Sequence, residues 1–348
     1  MPQSGQPHRY DNLTLLRVIA VTGVFIAHLA QKLEITGHLR SVTDLGSLCV
    51  ELFLMLGGFF AISYFDTNHS PHNVLRYYLK RIFRLLPLYY LIILYFYITE
   101  SFVFHAVPED PTGLRWLRYL FLLAGNIRSG NAGFDFWTNL GSTWTVFVFA
   151  TFYFLMPLLR KLASNYRCSV MLLGFSWVLR TVLETTNFPY LRTLQYLVFF
   201  VAGFVLWYGE KEHKHPVTLC LIALALMFHI AFRRTILEFN GLIFATIAYM
   251  LMAIASFPMR IHHPIARKVL RIVDQYSYTI YLGQGIIFCG VIDKFAQNWS
   301  KPLVFSVSVF GTAALCYVIH NFYEKPIQNW GNRFILRVME NFKCPTSM

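Results

Sequence analysis

The chain has 348 residues, of which 56% are hydrophobic and only 14% are charged, and 33 of them are phenylalanine. This composition excludes an ordinary soluble globular domain and is typical of a helical protein that crosses a membrane several times. The formal net charge of +13 is spread over short segments, without a basic run. We therefore expect no nucleic-acid partner, and we assign the charge to membrane topology, membrane lipids or an anionic substrate.

The six cysteines are scattered without the spacing of a zinc site, and most lie in apolar segments. We interpret them as small buried hydrophobic residues and expect no metal cofactor. We also expect no cleavable signal peptide and no soluble domain. The sequence therefore predicts a single membrane-embedded domain over residues 1–348.

About 20 apolar residues cross a bilayer as a helix. Ten segments meet this requirement, which predicts an all-α polytopic membrane protein. They are 13–32, 45–65, 86–105, 143–160, 169–186, 191–209, 217–233, 240–257, 275–293 and 303–322. A shorter apolar stretch at 114–124 predicts an interfacial or re-entrant helix.

An even number of spans puts both termini on one side of the membrane. Lysine and arginine are concentrated in the tails and in the loops that share their side, which are 66–85, 160–168, 209–216 and 258–274. Because cytoplasmic loops carry an excess of Lys and Arg, this bias predicts that both termini are cytoplasmic.

The first predicted span contains two residues that are costly in hydrocarbon, Arg17 and His28. Eleven positions are three helical turns plus about 20°, so both lie on one face, roughly 16 Å apart along the axis. Arg17 could simply extend to the inner headgroups, and His28 could be a hydrogen-bonded packing residue. Together on one face, they favour a fixed cation near the inner leaflet and a titratable base past the midplane.

The second predicted span places Glu51 in the membrane, followed by Gly57 and Gly58. A carboxylate in the membrane needs a partner, and His28 is suited to that role. The glycines allow another helix to approach closely.

Three basic residues, Lys80, Arg81 and Arg84, precede the third predicted span on its cytoplasmic side. Two arginines three positions apart face the same way and form a fork suited to phosphate. The other interpretation is a positive stop signal that only fixes topology.

These patches, in this order, resemble the motifs of the acyltransferase-3 family of bacterial membrane acyltransferases. The matching patches are Arg17-x10-His28, "VELFLMLGGFF", Arg81-x-x-Arg84 before Leu-x-Pro-x-Tyr, "STWTVFVFATFYFLMPLL" and "FYEKPI". They span most of the chain.

The resemblance implies ten spans and an acyl-CoA donor, usually acetyl-CoA, on the cytoplasmic side of the bacterial inner membrane. It implies an acceptor at the outer face, which is a hydroxyl of a polysaccharide or of a lipid-linked sugar such as O-antigen. The chain would then be an O-acyltransferase with no metal.

The chemistry of the residues agrees with this implication. We expect Lys80, Arg81 and Arg84 to bind the phosphates of CoA, which also approach Arg17. Transfer to a hydroxyl needs a base or a nucleophile, and an imidazole can serve as either. The hypothesis is that His28 activates the hydroxyl or briefly carries the acyl group, while Glu51 orients it. Further residues expected to bind substrate are Trp144, Tyr153 and Gln284.

The sequence departs from the family pattern at three positions. The family's glutamate after Trp-Ser should fall near Phe149, in a stretch that has no carboxylate, and Glu51 or Glu184 could replace it. Gln284 stands where the family often has histidine, and glutamine cannot act as a base at neutral pH. Gly57 replaces a serine.

Two other functions compete with an enzyme. A transporter or flippase of a polysaccharide precursor would also use Arg and His on one face, for proton coupling. The Arg81-x-x-Arg84 pair favours a CoA-using enzyme, and no pair of broken helices in matching halves is recognisable. A structural membrane subunit would leave Arg17, His28 and Glu51 unexplained.

Overall fold

The computed structural model describes residues 11–35, 39–68, 72–103, 119–120, 143–186, 189–214 and 261–341, and these ranges are almost entirely helical and contain no strand. The helices are α1 (Asp11–Lys32), α2 (Leu39–Thr67), α3 (Asn73–Ile98), α4 (Trp144–Leu162), α5 (Tyr166–Thr186), α6 (Leu197–Lys211), α7 (Pro264–Gly285) and α8 (Lys301–Asn341). A 3-10 helix, Pro189–Tyr196, leads into α6, and π-helical turns follow α3 and α7 and interrupt α8.

Six helices in the described ranges are long and apolar enough to cross a membrane. They are Asp11–Lys32, Leu48–Thr67, Asn73–Ile98, Trp144–Leu162, Thr193–Lys211 and Lys301–Asn341. The prediction of an all-α polytopic membrane protein is therefore confirmed. The predicted spans 169–186 and 275–293 are helical but are not among these six, and 217–233 and 240–257 lie outside the described residues.

Two helices are longer than hydropathy predicts. The third span was expected to begin at 86, but α3 begins at Asn73, and α8 continues well past the expected end at 322. The added segments pack on each other, because Phe83 contacts the rings of Trp330 and Phe334. A Cβ on Gly331 would lie 2.5 Å from the Phe83 ring. Packing between amphipathic helix ends, which hydropathy does not detect, therefore extends both helices.

The exposed face of α5 has the composition of a lipid-facing surface. Met171, Phe175, Val178 and Val182 recur at helical spacing, and each is 48–67% exposed. A contiguous apolar stripe of this kind is unfavourable in water and favourable against lipid tails.

The first turn of α5 is capped on its polar side. The side chain of Asn165 accepts a hydrogen bond from the backbone N–H of Cys168, and Glu212 accepts one from the N–H of Tyr166, each at 2.9 Å. These bonds satisfy N–H groups that have no partner within the helix. The hydrogen bond from Lys214 lowers the pKa of the Glu212 carboxyl, so the cap persists at neutral pH and is lost only in acid.

Contacts divide the chain into two compact units. Unit 1 comprises Met1–Ser63, Lys161–Val182 and Leu194–Tyr278, and unit 2 comprises Tyr64–Arg160, Leu183–Thr193 and Thr279–Met348. The single domain over 1–348 stays a prediction, and the units are described separately.

In unit 1, α2 and α6 touch through their backbones. A Cβ on Gly58 would lie 1.8 Å from the carbonyl oxygen of Phe200, and a Cβ on Gly203 would lie 2.2 Å from that of Met55. No side chain fits at either position, so the expected close approach at Gly58 is observed. Small residues allow such packing between membrane helices.

We predict that Gly58→Ala destabilises the protein, because the added methyl group forces α2 and α6 apart. Overpacking of this kind costs about 1–3 kcal/mol. The measurement is the melting temperature of the detergent-purified protein. The control is Gly174→Ala on α5, where an added Cβ meets nothing within 4 Å. Equal melting temperatures of the two variants would contradict the prediction.

Candidate active site

Arg17 is held by an ion pair within unit 1. Its Nη1 donates a hydrogen bond to Oδ1 of Asp274 on α7 at 2.6 Å, and both side chains are largely buried. The guanidinium carbon also lies 5.2 Å from the centroid of the Phe60 ring. The cation is thus anchored between α1, α2 and α7. Sequence reasoning did not identify Asp274 as a partner.

A second ion pair joins the same two helices, with Arg267 Nε 3.5 Å from Oδ2 of Asp11. Residue 11 of α1 pairs with residue 267 of α7, and residue 17 pairs with residue 274. Residue numbers therefore increase in the same direction along both helices. The two helices therefore run in the same direction, as the first and ninth of ten spans would.

His28 and Glu51 are both half-buried and both belong to unit 1. Because α1 is an unbroken helix from Asp11 to Lys32, the angular argument that puts Arg17 and His28 on one face applies to it. The catalytic roles of these residues and the pairing of His28 with Glu51 stay predictions.

Unit 2 contains a basic–aromatic cluster, formed by Tyr64, Phe65, Tyr77, Lys80, Arg81, Tyr153 and Arg160. The guanidinium carbon of Arg81 lies 5.1 Å from the ring centroid of Tyr77 and 4.6 Å from that of Tyr153. Lys80 lies over the ring of Tyr64, and Arg160 over that of Phe65. Ring faces attract cations without neutralising them.

The two arginines of the predicted fork lie in different environments. Arg81 is enclosed by tyrosine rings, whereas Arg84 is exposed one turn further along α3. Tyr153, predicted to bind substrate, lies with Arg81 in this cluster. Trp144, the other candidate on α4, is half-buried at the start of that helix.

Gln284 is completely buried in unit 2. Its Nε2 donates to the carbonyl oxygen of Tyr281 at 3.0 Å, while its Oε1 has no hydrogen-bond partner among the described residues. A buried acceptor without a partner is costly and is rare in folded proteins.

Sequence reasoning missed a second buried polar group in unit 2. His320 Nδ1 lies 2.9 Å from Oε2 of Glu324, and the hydroxyl of Thr279 donates to the same oxygen. Gln328 Nε2 donates to the other carboxylate oxygen at 2.9 Å. In the sequence, Glu324 is recognisable only as part of the "FYEKPI" motif. The spacing of His320, Glu324 and Gln328, four residues apart on one helix, could have identified them.

A family model supplies the class of the protein. The model described as an acyltransferase domain, Acyl_transf_3, matches residues 10–321. No curated protein and no solved structure is similar enough to count as a match, so the family model carries the assignment alone. The chain belongs to the acyltransferase-3 family and is an integral membrane acyltransferase.

The pair of Arg17 and Asp274 should stabilise unit 1, because removing one partner leaves the other charge largely buried. We predict that Arg17→Met and Asp274→Asn each destabilise the protein and that their effects are not additive. The coupling energy should be about 1–3 kcal/mol in a double-mutant cycle. Thermal unfolding of the two single variants and the double variant measures it. Additive effects would show that the pair makes no net contribution.

Proposed function

We propose that the protein is an O-acyltransferase that moves an acyl group, acetyl in the simplest case, from cytoplasmic acyl-CoA to an extracytoplasmic hydroxyl. The acceptor is a polysaccharide or a lipid-linked sugar such as O-antigen. The protein lies in the bacterial inner membrane with both termini in the cytoplasm. The family assignment supports acyl transfer, and the positive-inside bias supports the orientation.

The observation that carries the proposal is the basic–aromatic cluster. Within the described residues, Lys80, Arg81 and Arg160 contact aromatic rings, and none of the three forms an ion pair. Their positive charge is therefore available to an anion. Coenzyme A carries several phosphate charges, and guanidinium groups bind phosphate through two parallel hydrogen bonds.

The rings of the cluster serve two purposes in this proposal. They hold the Arg81 guanidinium in a fixed orientation, which lowers the entropy cost of binding a phosphate. The ring of Tyr64, which is half-buried, also suits stacking with the adenine of CoA. Lys80 of the cluster and Arg84, one turn beyond Arg81 on α3, are exposed and would contact the phosphates from the solvent side.

His28 is the proposed catalytic group. As a base it takes the proton of the acceptor hydroxyl, whose oxygen then attacks the thioester carbonyl. As a nucleophile it first accepts the acyl group and then passes it to the hydroxyl. Both routes break the carbon–sulfur bond, form a carbon–oxygen bond and release the thiol of CoA. Glu51 orients the imidazole in either route, and Arg17, fixed by Asp274, supplies a positive charge on the same helix face.

We predict that His28→Ala lowers acyl transfer at least about 100-fold, since general-base or nucleophilic groups contribute at least this much. The assay supplies labelled acetyl-CoA to membranes that contain the protein and follows label in the polysaccharide or lipid fraction. An unchanged melting temperature would show that the variant is folded. Full activity of His28→Ala would refute the catalytic role.

We predict that Arg81→Lys raises KM for acetyl-CoA about tenfold with little change in kcat, because lysine lacks the planar, forked guanidinium. The control is Arg333→Lys at an exposed position of α8 in unit 2. An unchanged KM in Arg81→Lys, or an equal rise in the control, would exclude Arg81 from donor binding.

A further inference from the structure

Helix α8 carries a buried polar stripe. Its side chains recur every four residues. In a regular α-helix this spacing drifts by about 40° per step, and the π-helical turns at Val307–Gly311 and His320–Glu324 reduce that drift. The members of the stripe are Ser308, Thr312, Cys316, His320, Glu324 and Gln328. The first five are at most 4% exposed. Twenty positions span about 30 Å of helix, which is the thickness of the hydrocarbon core.

Helix α7 and its π-helical extension cover this stripe. The Thr279 hydroxyl bonds Glu324, a Cβ on Gly283 would lie 3.6 Å from Cys316 Sγ, and one on Gly311 would lie 3.4 Å from Ile287 Cδ1. At successive contacts the residue number increases along α7 and decreases along α8, so the two helices are antiparallel. We call the α8 stripe, together with Thr279 and Gln284 of α7, the polar seam.

The seam contains one titratable pair, and its surroundings are polar on both helices. Glu324 faces His320 and Gln328 on its own helix and Thr279 on α7, and each of them hydrogen-bonds its carboxylate. An imidazole nitrogen 2.9 Å from a carboxylate oxygen is within the distance at which a proton can pass between two groups, so the geometry suits a proton relay inside the membrane.

Two polar atoms of the seam need a further partner. Gln284 Oε1 and Thr312 Oγ1 are buried and have no hydrogen-bond partner among the described residues. Sites of this kind are where buried water binds. Three π-helical turns also lie along the seam, at Ile286–Ile292, Val307–Gly311 and His320–Glu324, and such turns are frequent at functional sites.

The inner end of the seam reaches the predicted donor side. The Tyr323 hydroxyl donates to the carbonyl oxygen of Pro87 at 3.1 Å, and Gly331 packs against Phe83. Gln328 lies between these two contacts along α8, which places it at the level of Arg84 on α3. The seam therefore runs from the level of the basic residues towards the opposite end of the span.

Acyl transfer across a membrane leaves a proton to be moved. The alcohol loses its proton on the outer side as the carbon–oxygen bond forms. The electron pair of the broken carbon–sulfur bond stays on sulfur, and this thiolate gains a proton on the inner side. If each side used its own solvent, every turnover would move one positive charge outward, against the negative interior of the cell.

We propose that the polar seam returns this proton inward, along water molecules that Thr312 and Gln284 hold by hydrogen bonds, to the His320–Glu324 pair and on to the leaving thiolate. This inference rests on the proposed function. With the proton returned, transfer is electrically neutral and the membrane potential does not oppose it.

The test uses sealed inverted vesicles, which expose the cytoplasmic face, from cells that contain the protein and its native acceptor. Labelled acetyl-CoA is added, and a potassium gradient with valinomycin sets the potential across the vesicle membrane. The initial rate of label incorporation is measured without a potential and with the cytoplasmic face negative. For the wild type we expect the two rates to agree within about twofold, because no net charge crosses.

Glu324→Gln should be slower without a potential, and its remaining rate should fall at least about fivefold further when the cytoplasmic face is negative. Thr312→Val and Gln284→Leu remove the two unpartnered atoms without adding charge, and they should also lower the rate and make it depend on the potential. They test the seam if Glu324→Gln does not fold. The control is Ser306→Ala, because the Ser306 hydroxyl donates an exposed hydrogen bond to the carbonyl oxygen of Pro302 on the same helix.

The outcomes separate the two claims. Wild-type vesicles that incorporate no label from acetyl-CoA would overturn the proposed function together with this inference. Wild-type transfer that slows strongly against the potential would overturn the inference alone. The inference alone would also be overturned if every folded seam variant kept the wild-type rate and if that rate did not depend on the potential.

Discussion

The cost of placing charge inside a membrane shapes this structure more than any other constraint. An isolated cation or carboxylate is unfavourable in hydrocarbon, so each must be compensated locally. The protein compensates in three ways. Arg17 is paired with Asp274, Arg81 is enclosed by the rings of Tyr77 and Tyr153, and Glu324 accepts hydrogen bonds from neighbouring side chains.

These three forms of compensation differ in what they leave available. An ion pair fixes the position of its cation, so Arg17 is an anchored charge whose orientation is set by α7. Ring faces stabilise a guanidinium without cancelling its charge, so Arg81 keeps its attraction for an anion. A hydrogen-bonded carboxylate beside an imidazole can exchange a proton. Anchoring, anion binding and proton handling thus follow from how each charge is stabilised.

Local sequence patterns predicted which residues share a face of one helix, but they did not predict the contacts between two helices. The shared face of Arg17 and His28 follows from helical periodicity, and the adjacent glycines Gly57 and Gly58 predicted close packing. Asp274 is 257 positions from Arg17, and no local pattern reports a partner at that separation. The early start of α3 was missed for a related reason, since Phe83 is stabilised by Gly331 and Trp330 on α8.

The position of Gln284 shows how a departure from the family pattern is understood only with the facing helix in view. From sequence, glutamine at a position where the family often has histidine means that α7 contributes no imidazole. In the structure α8 contributes one, His320, on the stripe that α7 covers, and Thr279 of α7 completes the hydrogen bonds around Glu324. The seam therefore retains a titratable imidazole, although it comes from the other helix. Loss of a titratable group at one position does not remove acid–base chemistry from a helix interface when the facing helix supplies an equivalent group.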